Sequence, residues 1–174
     1  MTQSKVVCLL LTVALSISLS ACGFKLRGDF TLPDNLQKIE LLGVSNNDPL
    51  FREVKSRLQH YKISVTDKNP LNGRDEISLP RLTLLQDNLE RRLLSLFATG
   101  QVAEYELIYT VSYTLLMPGE NDTRHISFDI VREHQDDPDA VLAKSRELNL
   151  ILKEMRRQAA DKIMRQLTNL NQLN

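Results

Sequence analysis

The stretch that decides the fold is AEYELIYTVSYTLLM, which runs from Ala103 to Met117. Its odd positions are all apolar or aromatic, whereas most of its even positions carry glutamate, threonine or serine. Strict alternation over this length is typical of a long antiparallel strand with one buried face. Turn residues follow at Pro118–Asp122, and the alternation then resumes at Ile126, Phe128 and Ile130, which predicts a returning strand.

The preceding segment, Arg81–Phe97, fits two structures. Its leucines recur with a helical period, and periodicity alone slightly favours a helix. The long strand, however, leaves an edge unpaired unless a second strand lies beside it. We therefore interpret Arg81–Phe97 as a bulged strand that is joined to the long strand by a turn at Ala98-Thr99-Gly100.

Two amphipathic helices are predicted. The first begins at Asp48 and Pro49, a capping residue and a proline suited to the first helical position. The second begins at Asp137 and Pro138 and covers about 30 residues, or about 45 Å. On its outer side we expect ion pairs at a spacing of four residues, at Arg157, Asp161 and Arg165.

Shorter strands complete the pattern, at Gln37–Val44 and around Ile63 and Val65. The order is strand, helix, strands, helix, which predicts an α+β two-layer sandwich. We expect a mixed, mostly antiparallel sheet of about four strands with two helices on one face.

The amino-terminal residues have the pattern of a bacterial lipoprotein signal. Lys5 precedes an apolar run from Val6 to Leu19, which is too short to span a membrane as a helix. Leu19-Ser20-Ala21-Cys22 resembles a lipobox, in which cleavage falls before the cysteine and the thiol is then acylated. Gly23, rather than aspartate, follows Cys22, which in such lipoproteins indicates the outer membrane.

Three regions are therefore predicted. Residues 1–21 form a signal peptide that is removed, 22–35 form the lipidated terminus and a tether, and 36–174 form a single α+β domain. Cys8 leaves with the signal and Cys22 carries lipid, so the mature chain is expected to hold no free thiol. Disulfide bonds, thiol catalysis and thiolate metal sites are thereby excluded.

No catalytic motif is visible. The 22 basic and 22 acidic residues cancel, which removes the electrostatic basis for nucleic-acid binding. No metal-binding pair involves any of the histidines, and the aspartates near Pro138 are better explained as helix caps than as a cation site. These groups are His60, His125 and His134, and Asp136, Asp137 and Asp139.

Two further groups of residues have a structural and a functional interpretation. Tyr105, Tyr109 and Tyr113 could stack on a sugar, but they lie on the core-facing side of the long strand and are more often packing. The pairs Arg91-Arg92 and Arg156-Arg157 are most simply solvated charges.

Four features together resemble a known family. They are Cys22–Gly28 (CGFKLRG) behind the lipobox, Gly100–Tyr105 (GQVAEY), the Pro118-Gly119 turn, and the helix that continues through Leu142-Ala143-Lys144. In combination they resemble the LptE family of lipopolysaccharide-assembly lipoproteins, also called RlpB.

This resemblance implies a fold, a role and partners. Members fold as a sheet with two helices on one face and sit as a plug inside the LptD outer-membrane β-barrel, as a 1:1 heterodimer. They assist assembly of that barrel and delivery of lipopolysaccharide, without catalysis or a cofactor. The other partner is outer-membrane lipid, through the acyl anchor at Cys22. A different class of function stays open, namely an outer-membrane lipoprotein enzyme or an envelope-binding module on the same scaffold.

The resemblance also implies candidate residues for lipopolysaccharide binding. The family's basic residue in the Leu-Ala-Lys pattern corresponds to Lys144. Beside Phe97 some members carry a second basic residue, where this chain has Ala98. Arg91 and Arg92 lie nearby in the sequence and are expected to compensate.

Overall fold

Six strands and two helices make up the part of the chain that the computed structural model describes, residues 36–66, 79–135 and 141–169. In chain order they are β1 (Lys38–Leu42), α1 (Pro49–His60), β2 (Ser64–Thr66), β3 (Arg81–Leu84), β4 (Asn88–Leu96), β5 (Val102–Leu116), β6 (Arg124–Gln135) and α2 (Val141–Asn169). The predicted α+β class is confirmed.

The long strand β5 organises the sheet. On one edge it pairs antiparallel with β6, from Glu104 opposite Gln135 to Leu115 opposite Arg124. On its other edge it pairs antiparallel first with β4 and then with β3. Strand β1 lies parallel between β3 and β2. The sheet is therefore mixed and mostly antiparallel, as predicted.

The segment Arg81–Phe97 is strand and not helix, because the edge of β5 requires a partner along its whole length. It is not one continuous strand, however. The ladder is interrupted at Leu85–Asp87, where the amide of Leu85 donates to the carbonyl of Ser112 at 3.0 Å. The change from even-numbered to odd-numbered leucines on the core-facing side, which the bulged-strand interpretation requires, takes place at this interruption. The register also shifts between Leu93 and Ser95, which is not predicted.

This interruption and β2 explain why the described residues contain six strands rather than about four. The expected strand around Ile63 and Val65 forms as the three-residue β2. The predicted strand Gln37–Val44 is shorter in the structure, where β1 covers Lys38–Leu42. Phe51 packs close against Gly43, directly after that end.

Helix α1 begins as its sequence predicts. A carboxylate oxygen of Asp48 accepts from the amide of Leu50 at 2.7 Å and from that of Phe51 at 3.4 Å, and Pro49 is the first helical residue. These bonds satisfy two amide groups that have no partner inside the helix. The side chains that α1 buries are Leu50, Phe51, Val54 and Leu58.

Helix α2 has 29 residues, close to the predicted length, and its two halves differ. Its second half packs into the core through Met155, Ala159, Ala160, Ile163, Met164 and Leu167. In its first half Leu148, Ile151 and Leu152 are only half-buried, and Leu150 is 68% exposed. The predicted opening at Asp137 and Pro138 lies outside the described residues. Neither helix in the described ranges is apolar enough over a sufficient length to cross a membrane.

The core lies between the helices and one face of the sheet. Odd-numbered residues of β5, from Leu107 to Leu115, are buried together with the apolar sides of α1 and α2. Both helices therefore cover the same face, as predicted.

The ion pairs on α2 differ from the expected ones. Asp161 pairs with Arg57 of α1, with 2.7 Å between the guanidinium Nε and the carboxylate, rather than with Arg157. Arg157 instead lies 3.5 Å from Glu154. The i,i+4 prediction is wrong here because Asp161 lies beside the other helix, which the sequence spacing alone does not indicate.

Candidate functional site: a cationic row beside an apolar hairpin tip

The register of the sheet separates Arg91 from Arg92. Arg91 lies opposite Leu107, a core-facing residue of β5, so it belongs to the face that carries the helices. Arg92 lies opposite Glu106 on the other face and hydrogen-bonds to its carboxylate. Both arginines are exposed, but only Arg91 lies on the side of α2.

The same row holds a second arginine that the sequence reasoning missed. On its β6 side Leu107 lies opposite Arg132, so Arg91, Leu107 and Arg132 cross three strands in one line, which we call the cationic row. Two strand spacings put the Cα atoms of the arginines about 10 Å apart. Both side chains are exposed, and neither forms an ion pair with another residue in the described part of the chain. The sequence does hold a signal for Arg132. If β6 is aligned antiparallel to β5 on either side of the Pro118–Asp122 turn, Arg132 falls opposite Leu107, because this ladder has no register shift.

Lys144 lies at the same end of the molecule. It is half-buried and one helical turn before Glu147, whose carboxylate is 3.8 Å from Nδ1 of His134. His134 is buried and lies two residues beyond Arg132 on the same face of β6. The first turns of α2 therefore lie against the end of β6 that carries Arg132.

An apolar surface lies at the end of the same hairpin, with Leu93 on the face of the cationic row and Leu96, opposite Val102, on the other face. Four large apolar side chains at the end of the β4–β5 hairpin, which we call the apolar tip, are about half exposed: Leu93 (50%), Leu94 (45%), Leu96 (54%) and Phe97 (44%). No residue between Arg92 and Glu104 is charged. The loop is well defined, because the amide of Phe97 donates to Gln101 at 2.8 Å and that of Gly100 donates to Phe97 at 2.9 Å.

The opposite face of the same three strands carries mainly carboxylates. Glu104 accepts a hydrogen bond from Ser95 at 2.9 Å, and Asp129 accepts one from Thr110 at 2.7 Å. The acidic residues at these register positions are Glu90, Glu104, Glu106, Asp129 and Glu133. Five carboxylates and one arginine, Arg92, thus lie on this face, so zero net charge is compatible with a local cationic surface on the other face.

The tyrosines of β5 are mainly packing residues. Tyr109 is buried, and its hydroxyl donates to Asp87, at the interruption between β3 and β4. Its pKa is raised far above the ordinary value, first by burial and then by the Asp87 carboxylate. Burial also raises the pKa of Tyr113 to about 12, and its hydroxyl donates to Gln166 at 3.0 Å. Sugar stacking is therefore wrong for these two residues, whereas Tyr105 is half-buried.

Arg156 also differs from its predicted role as a solvated charge. It is half-buried, its Nε atom is buried without a hydrogen-bond partner among the described residues, and it lies close enough to Tyr109 to lower the pKa of that phenol. Arg157 is exposed, as predicted.

The remaining candidates are dispersed or outside the described residues. His60 and His125 are exposed at separate places. Within the described ranges no three acidic, histidine or cysteine side chains form a cluster that could hold a metal ion. The alternative cation site at Asp136, Asp137 and Asp139 lies outside those ranges, as does Cys22.

Comparison with known proteins agrees with this architecture. The family model described as LptE, lipopolysaccharide-assembly, matches residues 36–167. The LPS-assembly lipoprotein LptE of Pectobacterium atrosepticum is 35% identical over 162 residues, which cover 92% of this chain and 85% of the relative. The protein of the same name from Yersinia enterocolitica is 32% identical over 165 residues, which cover 95% and 76%.

Solved structures show the same fold. The crystal structure of rare lipoprotein B from Shewanella oneidensis has a TM-score of 0.68 and 38% identity, and covers 79% of this chain and 99% of that one. The solution structure of a lipoprotein B from Nitrosomonas europaea has a TM-score of 0.64 at 24% identity, covering 86% and 93%, and supports the fold alone. The chain therefore belongs to the LptE family of lipopolysaccharide-assembly lipoproteins.

Proposed function

We propose that this protein is an outer-membrane lipoprotein that acts as plug and assembly partner of the LptD β-barrel and that binds lipopolysaccharide without catalysing a reaction. Family membership makes it an envelope lipoprotein of lipopolysaccharide assembly, a non-catalytic role. The observation that carries the binding proposal is the cationic row, Arg91–Leu107–Arg132, with Lys144 at the same end of the molecule.

The chemistry of the row suits the phosphates of lipopolysaccharide. A guanidinium group binds a phosphate through two parallel hydrogen bonds, and a lysine adds a compact charge. Two exposed arginines about 10 Å apart could bind two phosphates, or both sides of one group. We leave Arg92 out of the proposed site, because its guanidinium is bound to Glu106 on the other face.

The polar face of the sheet supports the plug proposal. A body that sits in a water-filled lumen must present polar surface to it. The helix-free face carries hydroxyl and carboxylate groups, with paired side chains such as Ser112 and Ser127 at 2.9 Å. An acylated Cys22 would keep this body at the outer membrane, because acyl chains bury many methylene groups.

Charge reversal tests lipopolysaccharide binding. In the full mature chain, Arg91→Glu combined with Arg132→Glu should weaken lipopolysaccharide binding by about tenfold or more, because each change replaces an attraction to phosphate by a repulsion. Arg52→Glu, an exposed arginine in α1, is the matched control and should leave the affinity unchanged. Equal losses in both proteins would indicate non-specific electrostatics, and unchanged affinity in the double variant would remove the row from the site.

Affinity purification from membranes tests the plug. A tagged full-length chain should co-purify with a stoichiometric LptD barrel after mild extraction. Cys22→Ala should abolish labelling by a fatty-acid probe. Recovery of the labelled protein without any large barrel would instead favour the alternative envelope-binding module.

A further inference from the structure

Three exposed cations lie at the end of the domain where β1 begins, and we call them the tether-end patch: Lys38, Lys62 and Arg165. Lys38 lies opposite Ser64 in the ladder between β1 and β2, and Lys62 is two residues before Ser64. The Cα atoms of the two lysines are therefore within about 12 Å of each other. None of the three cations forms an ion pair with another residue in the described part of the chain.

The direction of the helices brings Arg165 to this end. Strand β1 is parallel to β3, which is antiparallel to β5, so β1 begins where β5 ends. Near the end of β5, the hydroxyl of Tyr113 donates to Gln166 at 3.0 Å, and near the end of α1, Arg57 binds Asp161. Both helices therefore end beside the start of β1, and the exposed Arg165 lies in that part of α2.

Neighbouring carboxylates do not cancel the tether-end patch. Three of them are each held in an ion pair with an arginine: Glu40 with Arg81, Asp161 with Arg57, and Glu120 with Arg124. Asp122 is exposed, but it lies in the turn between β5 and β6, on the far side of the sheet from β2. The patch is therefore locally cationic in a chain of zero net charge.

Lys62 has a backbone conformation that usually belongs to glycine. Its φ is 60°, its amide donates to the carbonyl of Gln59 at 2.9 Å, and the amide of Ile63 donates to that of Leu58 at 3.0 Å. This pattern is a Schellman motif, in which glycine is the usual left-handed residue because an L side chain is strained there. Folding therefore does not explain a lysine at this position, and a strained residue of this kind indicates a function for its side chain.

The acyl anchor indicates which surface the patch meets. The described domain begins at Leu36, 14 residues after Cys22, and a chain of that length reaches at most about 50 Å. The amide of Ser64 donates to the carbonyl of Gln37 at 2.9 Å, which fixes the start of the domain beside the two lysines. Lysines and arginines next to a membrane anchor attract anionic headgroups, each by about fivefold in affinity.

We infer that the tether-end patch binds the anionic headgroups of phospholipids in the leaflet that holds the acyl anchor. This inference rests on the proposed lipoprotein anchored at Cys22 and adds a second contact with the membrane. The contact belongs to a chain that is not yet inside a barrel, because the barrel wall separates a plug from the bilayer. Since acyl chains already hold the chain at the membrane, the patch determines which end of the domain faces it.

Fluorescence of the full mature, acylated chain in lipid vesicles tests the inference. A polarity-sensitive label is attached to a single introduced cysteine, either Gln59→Cys in the last turn of α1 or Leu150→Cys in the first half of α2, both exposed positions. In vesicles that contain phosphatidylglycerol, the label at position 59 should report a membrane environment and the label at position 150 an aqueous one. In vesicles of phosphatidylcholine alone, both labels should report water, because the charge attraction is absent.

Substitutions identify the groups responsible. Lys62→Gly should lower the ratio of docked to free domain about fivefold and raise the thermal unfolding temperature, since glycine relieves the strain. Lys38→Gln, Lys62→Gly and Arg165→Gln together should lower the ratio about a hundredfold. The matched control removes three exposed arginines at the opposite end and should leave the ratio unchanged: Arg91→Gln, Arg132→Gln and Arg146→Gln.

The outcomes separate this inference from the proposed function. Aqueous emission at position 59 in phosphatidylglycerol vesicles would overturn the inference, and so would docking that is lost in the control and kept in the patch variant. A chain that is not acylated at Cys22, and therefore is not retained on vesicles of either composition, would instead contradict the proposed lipoprotein.

Discussion

Tight packing at a single residue, Gly43, restricts which substitutions the fold can accept there. A Cβ atom at Gly43 would lie 2.7 Å from Cδ2 of Phe51, which is closer than van der Waals contact allows. The ring is fully buried in the first turn of α1, so it can move only by disturbing the core. Gly43 is therefore required by the close approach of helix and strand.

We expect Gly43→Ala to lower the free energy of unfolding by about 1–3 kcal/mol, the usual cost of overpacking. Urea denaturation followed by circular dichroism measures this. In a Phe51→Leu background the same change should cost clearly less, because the smaller side chain leaves room for the methyl group. Equal costs in the two backgrounds would show that Gly43 is not limited by Phe51.

The sequence predicts a site residue only where neighbours in the structure are also neighbours in the chain. Arg91 and Arg92 were grouped because they are adjacent, although alternation along a strand sends neighbours to opposite faces. Arg132 is not predicted because it lies 41 residues from Arg91 in the chain and becomes its neighbour only through β5. The burial of Arg156 depends on packing between α2 and the sheet, which leaves no local pattern.

Whole elements were predictable where their signal is local. The alternation of β5 and the cap of α1 each depend on residues that are close together in the sequence, and both predictions are confirmed. The interruption between β3 and β4 instead coincides with a contact between residues distant in the sequence, the hydrogen bond between Tyr109 and Asp87. Periodicity favoured a helix for this segment because leucines spaced for a bulged strand also match a helical repeat.

The cap of α1 leads to a prediction at the scale of an element. Asp48→Ala should lower stability by about 1 kcal/mol, because the amides of Leu50 and Phe51 lose their acceptor. Asp48→Asn retains a side-chain oxygen and should remain close to the unmodified protein. Thermal unfolding of the three proteins checks this, and similar losses for both variants would indicate that charge rather than capping is responsible.

At the scale of the whole molecule, the stability of the fold depends on pH through two buried tyrosines of the core, Tyr109 and Tyr113. Alkali should destabilise the folded protein through both. Burial raises the pKa of Tyr113 to about 12, and burial together with Asp87 raises the pKa of Tyr109 further. An unfolded tyrosine ionises near pH 10. Stability from these phenols is therefore complete below about pH 10 and is lost as the pH rises through the folded-state values.

For Tyr113 alone this loss amounts to about 2–3 kcal/mol between pH 10 and 12. Urea unfolding at several pH values across this range should show the decline. Tyr113→Phe loses the bond to Gln166 and should be less stable at neutral pH, but its stability should fall less steeply in alkali. An identical slope in both proteins would contradict the assignment.

The turn between β5 and β6 has a consequence for inheritance. Because the two strands pair without a shift from Leu115 opposite Arg124 onwards, their register determines the face on which each β6 side chain lies. A slip of one residue would transfer Arg132 to the carboxylate face and Phe128 out of the core, whereas the turn residues Pro118–Asp122 lie outside this ladder. Gene variants that survive selection should therefore place insertions and deletions within the turn, where the register need not change, and not within either strand.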